Sequence, residues 1–277
     1  MTRSKLIFPT VLAAGAVTLA IGFTNKAAEA QSLRLVANDY GYEVEGAPSA
    51  GPVEVELVNE GHELHHAQLI RLDEGKTLAD LAQADLEHAP PSWAVMMGGP
   101  NAVEPGDSGS AYATLEAGNY AVICIIPSPD GKLHVMKGMA SSFEVKPATG
   151  RRLREAPQAE VTIRLKDFAF DGPSQLHAGK HAIRVINDGP QNHEVVFVRL
   201  NEGKTAEDLF SWFRAGMVDA PPAHFVGGTV GLAPGGANTI VEDLSAGEYL
   251  LLCFLPNTAG HGEPHLAQGM ILSMTVK

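Results

Sequence analysis

The chain has 277 residues, of which 45% are hydrophobic, and its formal net charge at pH 7 is −12. This length is about twice the commonest domain size, so we expect two domains that each bury a core. The acidic balance argues against nucleic acid or an anionic lipid surface as a partner. The sequence has no low-complexity bias of the kind that is typical of disordered proteins, so a globular protein is predicted.

The N-terminus has the pattern of a secretory signal peptide over residues 1–30. Arg3 and Lys5 precede an apolar run over 6–23, and the small-residue motif Ala-Glu-Ala follows at 28–30. Cleavage before Gln31 would leave a periplasmic or secreted protein without a membrane span. The apolar run approaches spanning length, so an uncleaved anchor is the alternative.

The remaining chain has the pattern of an all-β protein. Short runs rich in Val and Ile alternate in polarity and are separated by Gly, Pro, Asn and Asp, which indicates β-sandwiches. Residues 77–86 and 205–213 instead carry apolar side chains at helical spacing, so one short inserted helix is predicted in each domain. Residues 148–159 lack strand alternation and form the predicted linker between domain 1 (31–147) and domain 2 (160–277).

The two predicted domains repeat the same sequence pattern. Residues 69–77 match residues 197–205 without a gap, and both segments end in Glu-Gly-Lys-Thr. In the same way, Asp39 and the residues after it match Asp167 and the residues after it. Self-similarity over half of a chain indicates a duplicated domain.

Four potential metal ligands recur in the same order in the two halves. His65, Cys124, His134 and Met139 in the first half correspond to His193, Cys253, His265 and Met270 in the second. Two imidazoles, one thiolate and one thioether form a soft donor set that suits copper in both of its oxidation states. The sequence therefore predicts a copper site in each half.

Neighbouring histidines compete with two of these ligands. His66 directly follows His65, but the register of the repeat aligns His66 with Glu194 and so favours His65. His261 lies close to His265, but only His265 keeps the spacing to methionine that is found in the first half.

The ordered ligand set resembles that of the cupredoxins, the blue-copper proteins of the plastocyanin type. Residues 187–193 are similar to the loop with the first histidine, residues 247–253 to the strand before the cysteine, and residues 265–270 to the histidine–methionine segment. The resemblance implies two tandem Greek-key β-sandwich domains, a type 1 copper site in one or both, and electron transfer with a redox partner protein. It also makes Asn59 and Asn187 candidates for hydrogen bonds that support the ligands.

The loops between the cysteine and the second histidine are longer than in plastocyanin-like proteins. Nine residues separate Cys124 from His134, and eleven separate Cys253 from His265. The first loop resembles the one in the blue-copper site of copper nitrite reductases. Long loops also leave a copper-free binding module of the same fold as an alternative.

Two further alternatives concern chemistry. A two-domain copper oxidase or nitrite reductase needs additional histidines for a catalytic copper site, and the sequence contains no His-x-His pair. An electron carrier is therefore expected rather than an enzyme. In an exported protein, Cys124 and Cys253 could form a disulfide, but their equivalent positions in separate domains disfavour this pairing.

Overall fold

The computed structural model describes Met1 and residues 28–84, 90–215 and 220–277. The predicted signal peptide, residues 1–30, lies outside the described residues except for Met1 and residues 28–30. Within the described residues, neither helix has the length and apolar character that crossing a bilayer requires.

The two halves contain a similar succession of strands with one inserted helix each, and the second half has one additional short strand at Gln175–Leu176. The first half contains β1 (Ser32–Asn38), β2 (Gly41–Glu45), β3 (Gly51–Asn59), β4 (Gln68–Leu72), α1 (Leu78–Leu81), β5 (Ala94–Gly98), β6 (Ser108–Leu115), β7 (Gly118–Ile123) and β8 (Ala140–Val145). The second half contains β9 (Val161–Lys166), β10 (Ala169–Asp171), β11 (Gln175–Leu176), β12 (Gly179–Asn187), β13 (His193–Leu200), α2 (Ala206–Arg214), β14 (Ala223–Leu232), β15 (Ala237–Leu244), β16 (Gly247–Leu252) and β17 (Ile271–Val276). The all-β prediction with one short helix per half is confirmed.

Each half is a sandwich in which strands of one sheet alternate between buried and partly exposed side chains. In β3, Val53, Val55 and Leu57 point into the core, while the residues between them lie at intermediate exposure. They pack against buried residues of the opposite sheet, such as Leu69 on β4 and Tyr120 on β7. The outer face of β3 is thus partly exposed. The outer face of the nine-stranded sheet is instead apolar and buried, because α1 and α2 pack against it.

The two helices begin with equivalent capping interactions. Thr77 and Thr205 each accept a hydrogen bond from the backbone N–H three residues later, and the aspartates at those positions complete a capping box. A capping box satisfies backbone donors that an α-helix leaves unpaired. Helix α1 has a single turn of four residues, and residues 85–89 beyond it lie outside the described residues.

The two sheets continue from one half into the other. Edge strand β6 pairs antiparallel with β15, and β5 pairs antiparallel with β14, which produces one eight-stranded and one nine-stranded sheet. Side chains reinforce this junction, because Gln68 donates to the carbonyl of Gly231 and Asn238 accepts from the amide of Gly99. Edge pairing covers strand edges that each half alone would expose.

The segment between the halves runs along the first sandwich. Strand β8 ends at Val145 and β9 begins at Val161, and the predicted linker 148–159 contains no strand of either sheet. Within it, Leu153 forms an isolated bridge with Glu29, and Arg151 forms an ion pair with the same glutamate at 2.9 Å.

Candidate metal centres

The first half brings three of its predicted ligands together in the core. The Nδ1 atoms of His65 and His134 are 3.1 Å apart, and the Sγ atom of Cys124 is 3.4 Å from Nδ1 of His134. All three side chains are completely buried. His65 lies in the loop after β3, Cys124 follows β7, and His134 begins a short 3-10 helix, so three separate elements supply the donors.

The second half repeats this arrangement. The Nδ1 atoms of His193 and His265 are 3.0 Å apart, and Sγ of Cys253 is 3.3 Å from Nδ1 of His265. These three side chains are also completely buried. Both cysteines are free, so the alternative of a disulfide between the halves is wrong.

The spacing of the donors fits a single metal ion in each group. In each half the three donor atoms lie within 4.8 Å of one another. Metal bonds of about 2.0–2.1 Å to imidazole nitrogen and about 2.3 Å to thiolate sulfur place the donors of one ion roughly 3–4 Å apart. Two histidines and one cysteine are the in-plane donors of blue-copper sites. The two groups are therefore suited to copper.

The predicted axial ligands lie directly before the last strand of each half. Gly138 and Gly269 end the 3-10 helices with φ values of 104° and 102°, a left-handed conformation that glycine adopts without strain. The turn brings Met139 back to Cys124, whose backbone N–H donates to the Met139 carbonyl at 3.2 Å. Met139 and Met270 are fully buried in the same clusters as the cysteines. Their role as axial ligands stays a prediction.

Two asparagines hold the loops that carry the first histidine of each site. Asn59 donates to the carbonyls of Glu63 and Val103, both at 2.8 Å, and accepts from the amide of Gly61 at 2.9 Å. Asn187 makes the equivalent bonds in the second half at 2.7, 2.7 and 2.9 Å. Both asparagines are fully buried, so they support the loops from inside the protein.

An aspartate holds the outward nitrogen of the first histidine in each site. Nε2 of His65 lies 3.3 Å from Asp39, and Nε2 of His193 lies 2.5 Å from Asp167. A side chain at Gly61 would collide with this pair, because its Cβ would lie 2.6 Å from Nε2 of His65. These contacts leave Nδ1 of each histidine directed at the other donors, as a metal ligand requires.

Burial decides the protonation of the donors. Burial lowers the pKa of His65 and of His193, and it lowers the pKa of His265 to about 4. Burial also raises the pKa of Cys124 to about 12 and that of Cys253 well above its usual value. At neutral pH these three histidines are neutral and ready to coordinate, whereas the thiols must release a proton when a metal binds.

The second histidine of each site has different surroundings in the two halves. Nε2 of His134 lies 2.9 Å from Glu63, which also accepts from the hydroxyl of Tyr40 at 2.6 Å. Burial favours the neutral form of Glu63, but hydrogen bonds from Tyr40 and His134 lower its pKa. In the second half the repeat places Gln191 at this position, and Nε2 of His265 has no hydrogen-bond partner among the described residues. The first site therefore carries an additional carboxylate.

His66 and Glu194 stand outside the metal groups and share a structural role. Nε2 of His66 accepts from the amide of Ile125 at 2.9 Å, and Glu194 accepts from the amide of Phe254 at 2.9 Å. Burial lowers the pKa of His66 to about 3 and raises the pKa of Glu194 to about 7. The competitor histidine is thus occupied by holding the residue that follows Cys124, and His65 alone joins the ligand group.

Sequence reasoning assigned no role to the carboxylates of Asp39, Asp167 and Glu63. The match of Asp39 with Asp167 in the repeat was a signal for the first pair, because a duplicated aspartate at the end of a strand suggests a shared task. Glu63 had no such signal, since its counterpart is Gln191.

Comparisons with known proteins found similarity to solved structures. No family model and no curated protein matches the chain. The dithionite-reduced auracyanin of Roseiflexus castenholzii is 28% identical over 43% of this chain and 99% of its own, with a TM-score of 0.30. The blue copper protein auracyanin A of Chloroflexus aurantiacus is 20% identical over 42% and 98%, with a TM-score of 0.31. The copper-containing nitrite reductase of Thermus scotoductus is 14% identical over 91% of this chain, which spans 62% of that protein, with a TM-score of 0.25.

The assignment of the chain follows from its own architecture and sites. Each half is a β-sandwich with an inserted helix, and each encloses one buried His–Cys–His group. The first predicted ligand lies in the loop after β3 in the first half and at the start of β13 in the second. The others lie at the end of a later strand and in the turn that follows it, in the order that the sequence resemblance implied. Each half therefore has a cupredoxin-like fold around one candidate copper site.

Proposed function

We propose that this protein is an exported electron carrier with a type 1 copper site in each half. The observation that carries the proposal is the pair of buried His–Cys–His groups with almost identical donor spacings. Met139 and Met270 follow the turn after the second histidine and are proposed as the weak axial ligands. Export by the predicted signal peptide places the protein in the periplasm or outside the cell.

The surrounding residues favour electron transfer without rearrangement. Bound copper would supply a centre that accepts and releases one electron. Asp39 and Asp167 hold the first histidines, and the two buried asparagines fix the loops, so the donors keep one geometry in both oxidation states. Complete burial of the ligands excludes water from the metal, which limits side reactions.

The partner is proposed to be another redox protein, not nucleic acid or a membrane. Met136 is 65% exposed and lies two residues after His134 in the 3-10 helix. Among the described residues, Met1 and Met136 are the large hydrophobic residues that are exposed. An exposed apolar side chain beside a predicted ligand offers a docked protein a short path for electron transfer. The acidic net charge of this chain favours a basic partner protein.

The test is a visible absorption spectrum of the copper-loaded protein beside the variants Cys124→Ser and Cys253→Ser. We expect an intense band from thiolate-to-copper charge transfer, part of which disappears in each variant. His261→Ala serves as the matched control for His265→Ala, because His261 is exposed and outside the ligand group. The control should keep the full band, whereas His265→Ala should lose the contribution of the second site.

Other outcomes would change the assignment. Absence of the band in every sample after loading would leave a copper-free module of the same fold. A steady consumption of oxygen or nitrite with a chemical reductant would make the protein an enzyme rather than a carrier.

A further inference from the structure

A cavity of about 330 Å³ lies between the two halves and adjoins both metal groups. Four of its lining residues directly follow a metal ligand in the chain: His66, Ile125, Glu194 and Phe254. The cavity is therefore built by the same strands and loops that position the donors. No residue of the two ligand groups lines it, so it is separate from the metal centres.

Most of the wall is apolar and partly aromatic. Phe213 from α2, Phe225 from β14 and Phe254 from the loop after Cys253 contribute rings, and aliphatic side chains from both halves fill the space between them. A cavity of about 150 Å³ lined by such residues binds benzene. At about twice that volume, this cavity has room for two fused aromatic rings.

Three buried polar side chains give the apolar cavity one polar side. His66, Asn101 and Glu194 are 4%, 2% and 4% exposed, and all three line the cavity. Asn101 is joined to Glu194, because its Nδ2 lies 3.3 Å from a carboxylate oxygen of that residue. A few polar groups at one end of an apolar cavity are typical of sites for small molecules.

The carboxylate of Glu194 provides free acceptor capacity on this side. The amide group of Asn101 donates to Glu194 and to the carbonyls of Val195 and Thr229, and its oxygen accepts from Ala102. Nε2 of His66 is occupied by the amide of Ile125. Glu194 has one partner on each oxygen, although a carboxylate offers about four acceptor positions. Glu194 can therefore accept a hydrogen bond from a donor on a ligand.

We propose that this cavity binds a fused-ring aromatic compound with a single N–H donor, the chemical class of indole. The rings occupy the space between the phenylalanines, and the N–H donates to Glu194. Binding does not require copper, because the lining is made by the protein alone.

Calorimetric titration of the whole protein at pH 8 tests the proposal with indole and benzofuran as probes. The two compounds have nearly the same size, but benzofuran has no N–H group. We expect saturable one-to-one binding of indole and at least about tenfold weaker binding of benzofuran, because the hydrogen bond to the Glu194 side chain is lost. Absence of saturable indole binding, or equal affinity for both probes, would overturn the proposal.

Two variants and one control locate the site. Ala102→Leu places a larger side chain in the cavity wall and should abolish indole binding, while Ala117→Leu in the exposed turn before β7 should leave it unchanged. Glu194→Gln should weaken the binding of indole and leave the binding of benzofuran unchanged. This comparison remains valid even if Ala102→Leu does not fold. Indole binding that survives both substitutions would show that the ligand binds elsewhere.

Discussion

Replacing Asn59 by alanine tests whether the buried asparagines hold the metal loops. The substitution removes three hydrogen bonds to the backbone of Glu63, Val103 and Gly61, and all of them belong to a fully buried side chain. At about 1 kcal/mol for each bond, we expect the free energy of unfolding of the metal-free protein to fall by about 3 kcal/mol. The loop with His65 also loses its support, so copper affinity at the first site should fall by about tenfold or more.

Urea denaturation of the metal-free protein measures the first effect. Competition with a copper chelator measures the second, and in a Cys253→Ser background the thiolate band reports the first site alone. Asn187→Ala is the matched control, because it makes the same three bonds in the second half. It should weaken the second site and leave the first intact. A loss of less than about 1 kcal/mol on Asn59→Ala, or equal weakening of both sites by either variant, would refute the reasoning.

Three further predictions concern charge and the junction of the halves. Glu63→Gln removes a carboxylate that lies beside Nε2 of His134. A carboxylate there would stabilise the more positively charged oxidised state of a bound copper, so voltammetry of the variant should show a higher potential at the first site. A fall in potential would contradict this. Burial raises the pKa of Glu242 to about 8, above the value of 4.5 expected in the unfolded chain. The stability contributed by its bound proton is therefore complete below about pH 4.5 and is lost as the pH rises to 8, and Glu242→Gln should flatten this decline in urea denaturation. An unchanged pH profile would assign the decline to other groups. Asn238→Ala removes hydrogen bonds to Gly99 and Met97 across the junction. Calorimetry should show that the free energy of unfolding falls by about 2 kcal/mol, whereas replacing an exposed residue by alanine should leave it almost unchanged.

The fold class and the ligand candidates could be read from the sequence because they depend on local patterns. Alternating polarity predicted the strands, and the spacing after Thr77 and Thr205 predicted helices that begin at those residues. The repeat register separated His65 from His66, and the structure places only His65 in the ligand group. Each of these inferences compares residues that are close in the chain or equivalent in the duplication.

Contacts between distant segments could not be read in this way. Glu63 reaches His134 across 71 positions, and its counterpart in the repeat is a glutamine that cannot carry the same charge. Asn101 meets Glu194 across 93 positions, and the residue that corresponds to Asn101 in the second half is Val230 on β14. A pattern that alternates every two residues indicates which face of a strand is buried, but not which side chain lies opposite.

The sequence by itself determined a duplicated all-β protein with a soft ligand set in each half, since these features follow from residue order and periodicity. Only the tertiary structure decided how the halves join. Edge strands β5 and β6 pair with β14 and β15 through backbone groups that every sequence possesses, so no side-chain pattern marks them. That pairing places His66 and Glu194 at one cavity between two metal groups and makes the halves a single structural unit.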